Sequence, residues 1–258
     1  MFWKRKLYKQ IKRKYVFMVK LSVVIPAYNE YTNLHNNFYK IKKATERITK
    51  DCEIIIAEDG SMDGTSELAE KFRKKIKKNK EFVHLHADKR LGRGKALNRA
   101  FKKAKGKIVL YMDADLATDM KDLPNLVKEV EKGYDCVTGS RYIEGADIKR
   151  EFKREFVSRI YNFLVRLFFN SKLLDHQCGF KAFKKQSLIK FIDEIENNGW
   201  FWDTELIVRA KKAGLEVKEV PIKWTEKDYS VFSLVFDVPV MALSVLRLWF
   251  KVRGMGGN

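Results

Sequence analysis

Between residues 21 and 140 the chain alternates short apolar, β-branched runs with longer amphipathic stretches. The spacing predicts strands at 21–26, 53–57, 82–87, 107–112 and 135–139, with helices at 33–48, 65–76, 95–105 and 123–131. The first run is continuously apolar, as a strand covered on both faces must be. Strand and helix in strict alternation imply βαβ units, hence an α/β fold with a mostly parallel sheet and helices on both faces. In such sheets ligands bind beyond the carboxyl ends of the strands. The residues at those ends are therefore the first candidates for chemistry.

Composition sets the remaining bounds. A chain of 258 residues is one large domain or two small ones. Hydrophobic residues make up 45% of it, with 18 Phe, 10 Tyr and 5 Trp, enough for a substantial core and too many for disorder. Cys52, Cys136 and Cys178 are widely spaced and odd in number, which excludes a disulfide scaffold and a zinc knuckle and favours a reducing compartment. A formal charge of +20 calls for an anionic partner: nucleic acid, a membrane surface or a phosphorylated substrate. Nucleic-acid binding would need stacking aromatics among the basic residues. The Lys-rich stretch 71–80 is poor in aromatics, and no helix-turn-helix or RNP-like segment occurs, so no nucleic acid is expected.

The strand ends carry unusual residues. The first ends Pro26-Ala27-Tyr28-Asn29-Glu30 and the second Glu58-Asp59-Gly60-Ser61-Met62-Asp63-Gly64-Thr65. The fourth ends Asp113-Ala114-Asp115 and the fifth Gly139-Ser140-Arg141. Asp63 and Thr65 suit an ordinary turn and helix cap. Asp113 and Asp115 do not, because two carboxylates at i and i+2 after a hydrophobic strand repel unless a cation lies between them. Oxygen donors of this kind suit Mg²⁺ or Mn²⁺ together with substrate phosphates. The turn Gly92-Arg93-Gly94-Lys95 opens a helix and is a ready anion site, although its spacing is not that of a Walker loop.

Taken together, Val24-Ile25-Pro26-Ala27-Tyr28-Asn29-Glu30, the Glu58–Thr65 segment, Leu91-Gly92-Arg93-Gly94-Lys95-Ala96-Leu97-Asn98 and Tyr111-Met112-Asp113-Ala114-Asp115 resemble the family 2 glycosyltransferases. That resemblance implies the A-type, nucleotide-diphospho-sugar transferase fold. It implies a nucleotide-sugar donor held by Pro26, Ala27, Tyr28 and Glu30, with Asp59 on the base, Lys95 beside the nucleotide, and Asp113 and Ala114 near ribose and sugar. Asp115 would ligate the metal under the diphosphate. In the second half, Asp175-His176-Gln177-Cys178-Gly179-Phe180-Lys181, Gly199-Trp200-Phe201-Trp202-Asp203-Thr204-Glu205-Leu206 and Val220-Pro221-Ile222-Lys223-Trp224 are similar to the dolichyl-phosphate hexosyltransferases, the β-glucosyltransferases most closely. This implies a polyprenyl (dolichyl) phosphate acceptor, with Arg141, Arg154 and Ser158 at its phosphate, and UDP-glucose favoured as donor over GDP-mannose.

The chain also departs from these relatives. Ala117 stands where some mannosyl-transferring members carry a metal-ligating Gln, leaving Gln177 or water to complete the coordination. The loop 225–230 lacks the Gly-Ser-Lys seen in many relatives. A phosphate monoester is already an anion at pH 7, so transfer to it needs orientation rather than a general base. A sugar-hydroxyl acceptor, as in polysaccharide or glycolipid synthesis, would need a base, and Asp203 is the candidate. Its other reading is the N-cap of a helix over 204–213. His176 is a further loop candidate.

Three segments bear on membranes. Residues 1–20 form a basic extension with eight Lys or Arg and no acid, anchored by Phe2, Trp3, Leu7, Ile11 and Tyr15. A helix over 156–169 carries Arg159, Asn162 and Arg166 as a polar stripe on an otherwise apolar surface, either buried or lying in a bilayer interface. The apolar stretch 231–246 is too short and too interrupted to span a membrane. The expected organisation is an extension 1–20, a catalytic domain 21–228 and a membrane-associating segment 229–258, on an anionic cytoplasmic membrane face with no transmembrane helix.

Overall fold

A computed structural model of the chain describes residues 20–76, 82–227 and 236–254. The five expected strands are β1 (Leu21–Ala27), β2 (Cys52–Glu58), β3 (Phe82–Leu85), β4 (Ile108–Met112) and β5 (Cys136–Ser140). The helices between them are α1 (Tyr31–Ile48), α2 (Thr65–Lys75), α3 (Arg93–Lys103) and α4 (Leu123–Glu131). Helices α1 and α3 begin two residues earlier than the periodicity suggests. Every residue of β1 and of β2 is buried, because helices cover both faces.

The second half adds β6 (Asp147–Lys149), α5 (Phe152–Phe169), β7 (Phe180–Lys184), the one-turn α6 (Lys185–Leu188), α7 (Trp202–Lys212), β8 (Val217–Pro221), β9 (Lys223–Thr225) and α8 (Asp237–Gly254). The main sheet has the order β3-β2-β1-β4-β7-β5-β8. Its pairs are parallel except those of β7, which runs antiparallel to both β4 and β5. A small parallel pair, β6–β9, lies apart from it. One core packs α1, α2 and α4 on the sheet around Phe38, Phe72 and Leu126, and another packs α3 and α7 around Phe101, Tyr111 and Trp202.

A third cluster joins α5, α7 and α8 through Tyr161, Val165, Val208, Met241 and Val245. Helix α5 is reversed relative to an ordinary amphipathic helix. Its buried residues are Ser158, Tyr161, Asn162 and Val165, while Phe152, Phe156, Ile160, Phe163 and Leu167 are exposed. The expected polar stripe is therefore split: Asn162 turns inward and Arg159 outward. Asn162 is satisfied by donating to Ser158 O at 2.9 Å and accepting from His176 N at 2.9 Å. On α8, Val240, Leu243, Leu246 and Phe250 are likewise exposed. No helix among the described residues is long and apolar enough to cross a membrane. The basic extension up to residue 19 lies outside the described residues.

Candidate active site

A cleft of about 230 Å³ opens where the carboxyl ends of β1, β4 and β5 meet the starts of α5 and α8. It brings together the acids Glu30, Asp113, Asp115 and Asp203 with the arginines Arg93, Arg141, Arg150 and Arg154. Pro26, Ala114, Ser158 and Gln177, all singled out from the sequence, also line it. Ala27 does not, because its side chain is packed in the core. Tyr28 lies outside the cleft lining, with the Arg90 guanidinium 4.0 Å above its ring.

The acidic end is charge-strained. Burial, and after it the charge of Asp113, pushes the Asp115 carboxyl above its ordinary range, against the Ala117 N–H that donates to Oδ1 at 2.9 Å. Burial lifts Glu30 to about 7; Asn33, which donates to it at 2.7 Å, acts in the opposite sense, and Asp113 and Asp115 add to the rise. Such a set of oxygen donors with surplus negative charge fits a hard divalent cation, which binds through one or two carboxylates plus substrate phosphates.

Arg93, to which the sequence motifs give no role, counters the acids. Its Nη2 donates to Asp113 Oδ1 at 2.7 Å. Burial opposes its charge, but Asp113, Asp203 and Asp115 outweigh that and hold it protonated. Lys95 is exposed and absent from the cleft. In the turn expected to cradle an anion, Gly94 N donates to Asn198 O at 3.0 Å. A Cβ on Gly94 would meet Asn197 O at 2.3 Å and the Trp202 ring at 2.4 Å, so this glycine serves close packing against the 197–202 loop. Asp59 organises the same turn, accepting from Leu91 N at 2.7 Å and Gly92 N at 3.0 Å. Gly179 faces the site for a similar reason, since a Cβ there would lie 2.3 Å from Asp113 Oδ2.

The arginines are not equivalent. Arg141 is buried and forked onto Asp175, with Nε to Oδ2 at 2.7 Å and Nη2 to Oδ1 at 2.9 Å. Burial would raise Asp175, but the Arg141 guanidinium holds it down at about 2. Arg154 donates to Glu226 Oε1 at 3.2 Å. Arg150 is only 12% exposed, yet its Nε and Nη1 have no hydrogen-bond partner. The nearest carboxylate, Glu226 Oε1, is 3.8 Å from Nε. Burial and the neighbouring charge of Arg141 both work against Arg150's charged form. Buried donors left unpaired in a cleft are what an anionic ligand would satisfy. Ser158 Oγ accepts from Tyr142 OH at 2.8 Å.

Asp203 is not a helix cap. Helix α7 starts at Trp202, its cap position is Phe201, and no side chain caps it. Instead Asp203 Oδ1 accepts from Lys181 Nζ at 2.6 Å and from Tyr111 OH. Burial pushes the Asp203 carboxyl up and the Lys181 ammonium down. Lys181, on β7, is fully buried; the sequence shows it within the Asp175–Lys181 segment but gives it no role. His176 is buried away from the cleft between Asn162 Oδ1 at 2.9 Å and Ser171 Oγ at 2.8 Å, and burial lowers it to about 4.

A mostly parallel sheet whose strand ends present Asp113-Ala114-Asp115 to a cleft, faced by arginines, is the A-type fold of a glycosyltransferase. The chain belongs to the family described as "Glycosyl transferase family 2", whose model matches residues 22–192. It is 44% identical over 237 residues to glycosyltransferase AglD of Haloferax volcanii, covering 91% of this chain and 38% of that protein. It is 31% identical over 246 residues to the dolichyl-phosphate beta-glucosyltransferase of Dictyostelium discoideum, covering 90% of this chain and 75% of the relative. The chain thus spans well under half of the Haloferax protein. Among solved structures, glucosyl-3-phosphoglycerate synthase from Mycobacterium tuberculosis, in complex with Mn²⁺, UDP-Glc and phosphoglyceric acid, matches with a TM-score of 0.62 at 19% identity, over 90% of this chain and 79% of that one.

Proposed function

We propose that the chain transfers a hexose, glucose by preference, from a nucleoside diphosphate to a polyprenyl (dolichyl-type) phosphate, with inversion, at an anionic membrane surface. The observation that carries this reading is Arg150: a buried guanidinium with two unpaired N–H groups in the cleft that also holds Asp113 and Asp115. The dolichyl-phosphate beta-glucosyltransferase at 31% identity supports the same acceptor, and the UDP-Glc bound by the mycobacterial enzyme supports the donor.

In this reading Arg150, with Arg154 and Ser158, orients the acceptor phosphate, and Arg141 braces the site through Asp175. The acceptor oxygen is already anionic, so no side chain has to take its proton. Arg93 fixes Asp113 for contact with the donor ribose and sugar, and Pro26, Glu30 and Ala114 border the same space. A divalent ion, Mg²⁺ or Mn²⁺, would be held by Asp115 with Gln177 and would neutralise charge developing on the leaving diphosphate. The exposed apolar residues of α5 and α8, with Lys153, Arg159, Arg247 and Lys251 around them, suit a lipid interface carrying anionic headgroups. In this reading the reaction takes place on the cytoplasmic face of a membrane.

The raised carboxyl of Asp203 in the cleft favours a second reading, transfer to a sugar hydroxyl with Asp203 as base. Its two hydrogen-bond donors, Lys181 and Tyr111, count against it. The direct test incubates the protein with labelled UDP-glucose or GDP-mannose, Mg²⁺ or Mn²⁺ and a polyprenyl phosphate, followed by organic extraction. Label from UDP-glucose in the organic phase is expected. An unlabelled organic phase with both donors refutes the proposal.

A further inference from the structure

We infer that Glu58, His84 and His86 form a binding site for a transition-metal ion such as Zn²⁺, made of residues separate from the carboxylates of the cleft. The chain has four histidines, and two of them stand at i and i+2 on β3 and just beyond it. Alternation along a strand turns both to one face. In the parallel β2–β3 pairing, Ile56 lies beside His84 and Ala57 beside Leu85. The next step along both chains brings Glu58 to His86, and there Glu58 Oε2 lies 2.5 Å from His86 Nδ1.

Among the described residues, these three form the one group of three or more His, Cys, Asp and Glu whose ligand atoms lie within 4.8 Å of one another. An independent observation points to a missing partner. The His84 side chain is 7% exposed, and its Nε2 is buried with no hydrogen bond. Around the group stand acids suited to orienting metal-bound imidazoles through their other nitrogens. Glu70 Oε2 is 3.6 Å from His84 Nδ1, and Asp88 Oδ1 is 3.5 Å from His86 Nε2.

Two imidazoles and one carboxylate suit Zn²⁺, Co²⁺ or Ni²⁺ rather than Mg²⁺, which takes oxygen ligands. Ligand atoms about 2.0–2.1 Å from a tetrahedral ion stand roughly 3.3 Å apart. Metal entry therefore has to part the His86–Glu58 hydrogen bond by about 1 Å and to draw in the His84 ligand atom, which lies within 4.8 Å of the other two. The ion would tie the end of β3 to the loop after β2. Glu58 Oε1 already accepts from Ser61 N at 2.5 Å, and Ser61 Oγ accepts from Asn29 N at 3.0 Å. Occupancy would thereby brace the segment that carries Glu30.

The test uses untagged, full-length protein stripped of metal with a chelator and titrated with Co²⁺. One equivalent is expected to give the visible bands of tetrahedral Co²⁺, to be displaced by Zn²⁺, and to raise the Tm. His86 is half-exposed, so His86→Gln should fold while losing the bands and the Tm shift, with affinity at least tenfold weaker; His84→Gln should behave alike. Asp115→Ala should retain both signals. The proposal is overturned if the bands are absent, if they survive in His86→Gln, or if they vanish in Asp115→Ala, which would put the ion in the cleft.

Discussion

Replacing Arg150 with Met should separate function from stability in opposite directions. In the free protein Arg150 is nearly buried, with Nε and Nη1 unpaired, and each buried unpaired donor costs about 1–3 kcal/mol. Arg150 regains part of this by lying 5.4 Å from the Trp224 ring, a contact of roughly 0.5–1 kcal/mol. Methionine keeps much of the volume and removes the orphan donors, so Arg150→Met should raise the unfolding free energy measured in urea by about 1 kcal/mol or more. With acceptor bound, the two donors would each make a charge-assisted hydrogen bond of about 1.5–3 kcal/mol. Losing both costs roughly 3 kcal/mol or more, which at about 1.4 kcal/mol per decade is a fall of at least 100-fold in kcat/KM for polyprenyl phosphate. Arg150→Lys should recover little of this, because a single ammonium does not present donors at both the Nε and the Nη1 positions. The assays are urea unfolding and transfer kinetics at saturating donor, with UDP affinity as control. A variant that loses stability, or one with unchanged kcat/KM for the lipid, would refute the reasoning.

Three further outcomes test the rest of the site. Asp203→Asn should leave the ammonium of Lys181 buried and uncompensated, costing about 3–5 kcal/mol; Asp203→Asn with Lys181→Met should recover most of that, and equilibrium unfolding of both variants checks it. If Asp203→Asn instead keeps its stability and abolishes transfer, the acid is a base. Glu30 is raised from 4.5 to about 7, so the folded state keeps a proton that the unfolded chain has released. Its contribution is present below pH 4.5 and is lost as pH rises through 7, roughly 3 kcal/mol in all at about 1.36 kcal/mol per unit. Glu30→Gln should flatten that part of the stability–pH curve, and an unchanged curve would disprove the assignment. Phe156→Glu with Phe163→Glu, both at exposed positions of α5, should abolish sedimentation with anionic vesicles while shifting stability by no more than about 0.5 kcal/mol each; undiminished vesicle binding would remove α5 from the interface.

The half of the fold that builds the acidic end of the site was legible because its signals are local. A strand covered on both faces has to be apolar throughout, so β1 stood out. Two aspartates two apart after such a strand have few reasons to coexist other than a cation. The second half resists such reading. Strand β7 enters the sheet antiparallel between β4 and β5, and nothing local to its sequence shows that Lys181 is buried against Asp203, which also accepts from Tyr111. Periodicity found the helix around 156–169 but not which side faced the protein. That was decided by Asn162 bonding His176, a choice that left five apolar side chains outside.

The arginines make the same point within the cleft. The resemblance to the dolichyl-phosphate hexosyltransferases implies Arg141 and Arg154 at the acceptor phosphate, and both line the cleft. Whether an arginine has donors to spare depends on acids distant in sequence. Asp175 lies 34 residues beyond Arg141 and takes its fork. Glu226 lies 72 residues beyond Arg154 and takes Nη1. Arg150, four residues from Arg154 in the same basic run, comes within 3.8 Å of Glu226 without a hydrogen bond. A basic run thus supplies several candidates of equal chemistry, and tertiary pairing leaves Arg150 with two buried nitrogens, Nε and Nη1, unpaired. The unpaired donor, more than the count of positive charges, tells where an anion of one particular shape will sit.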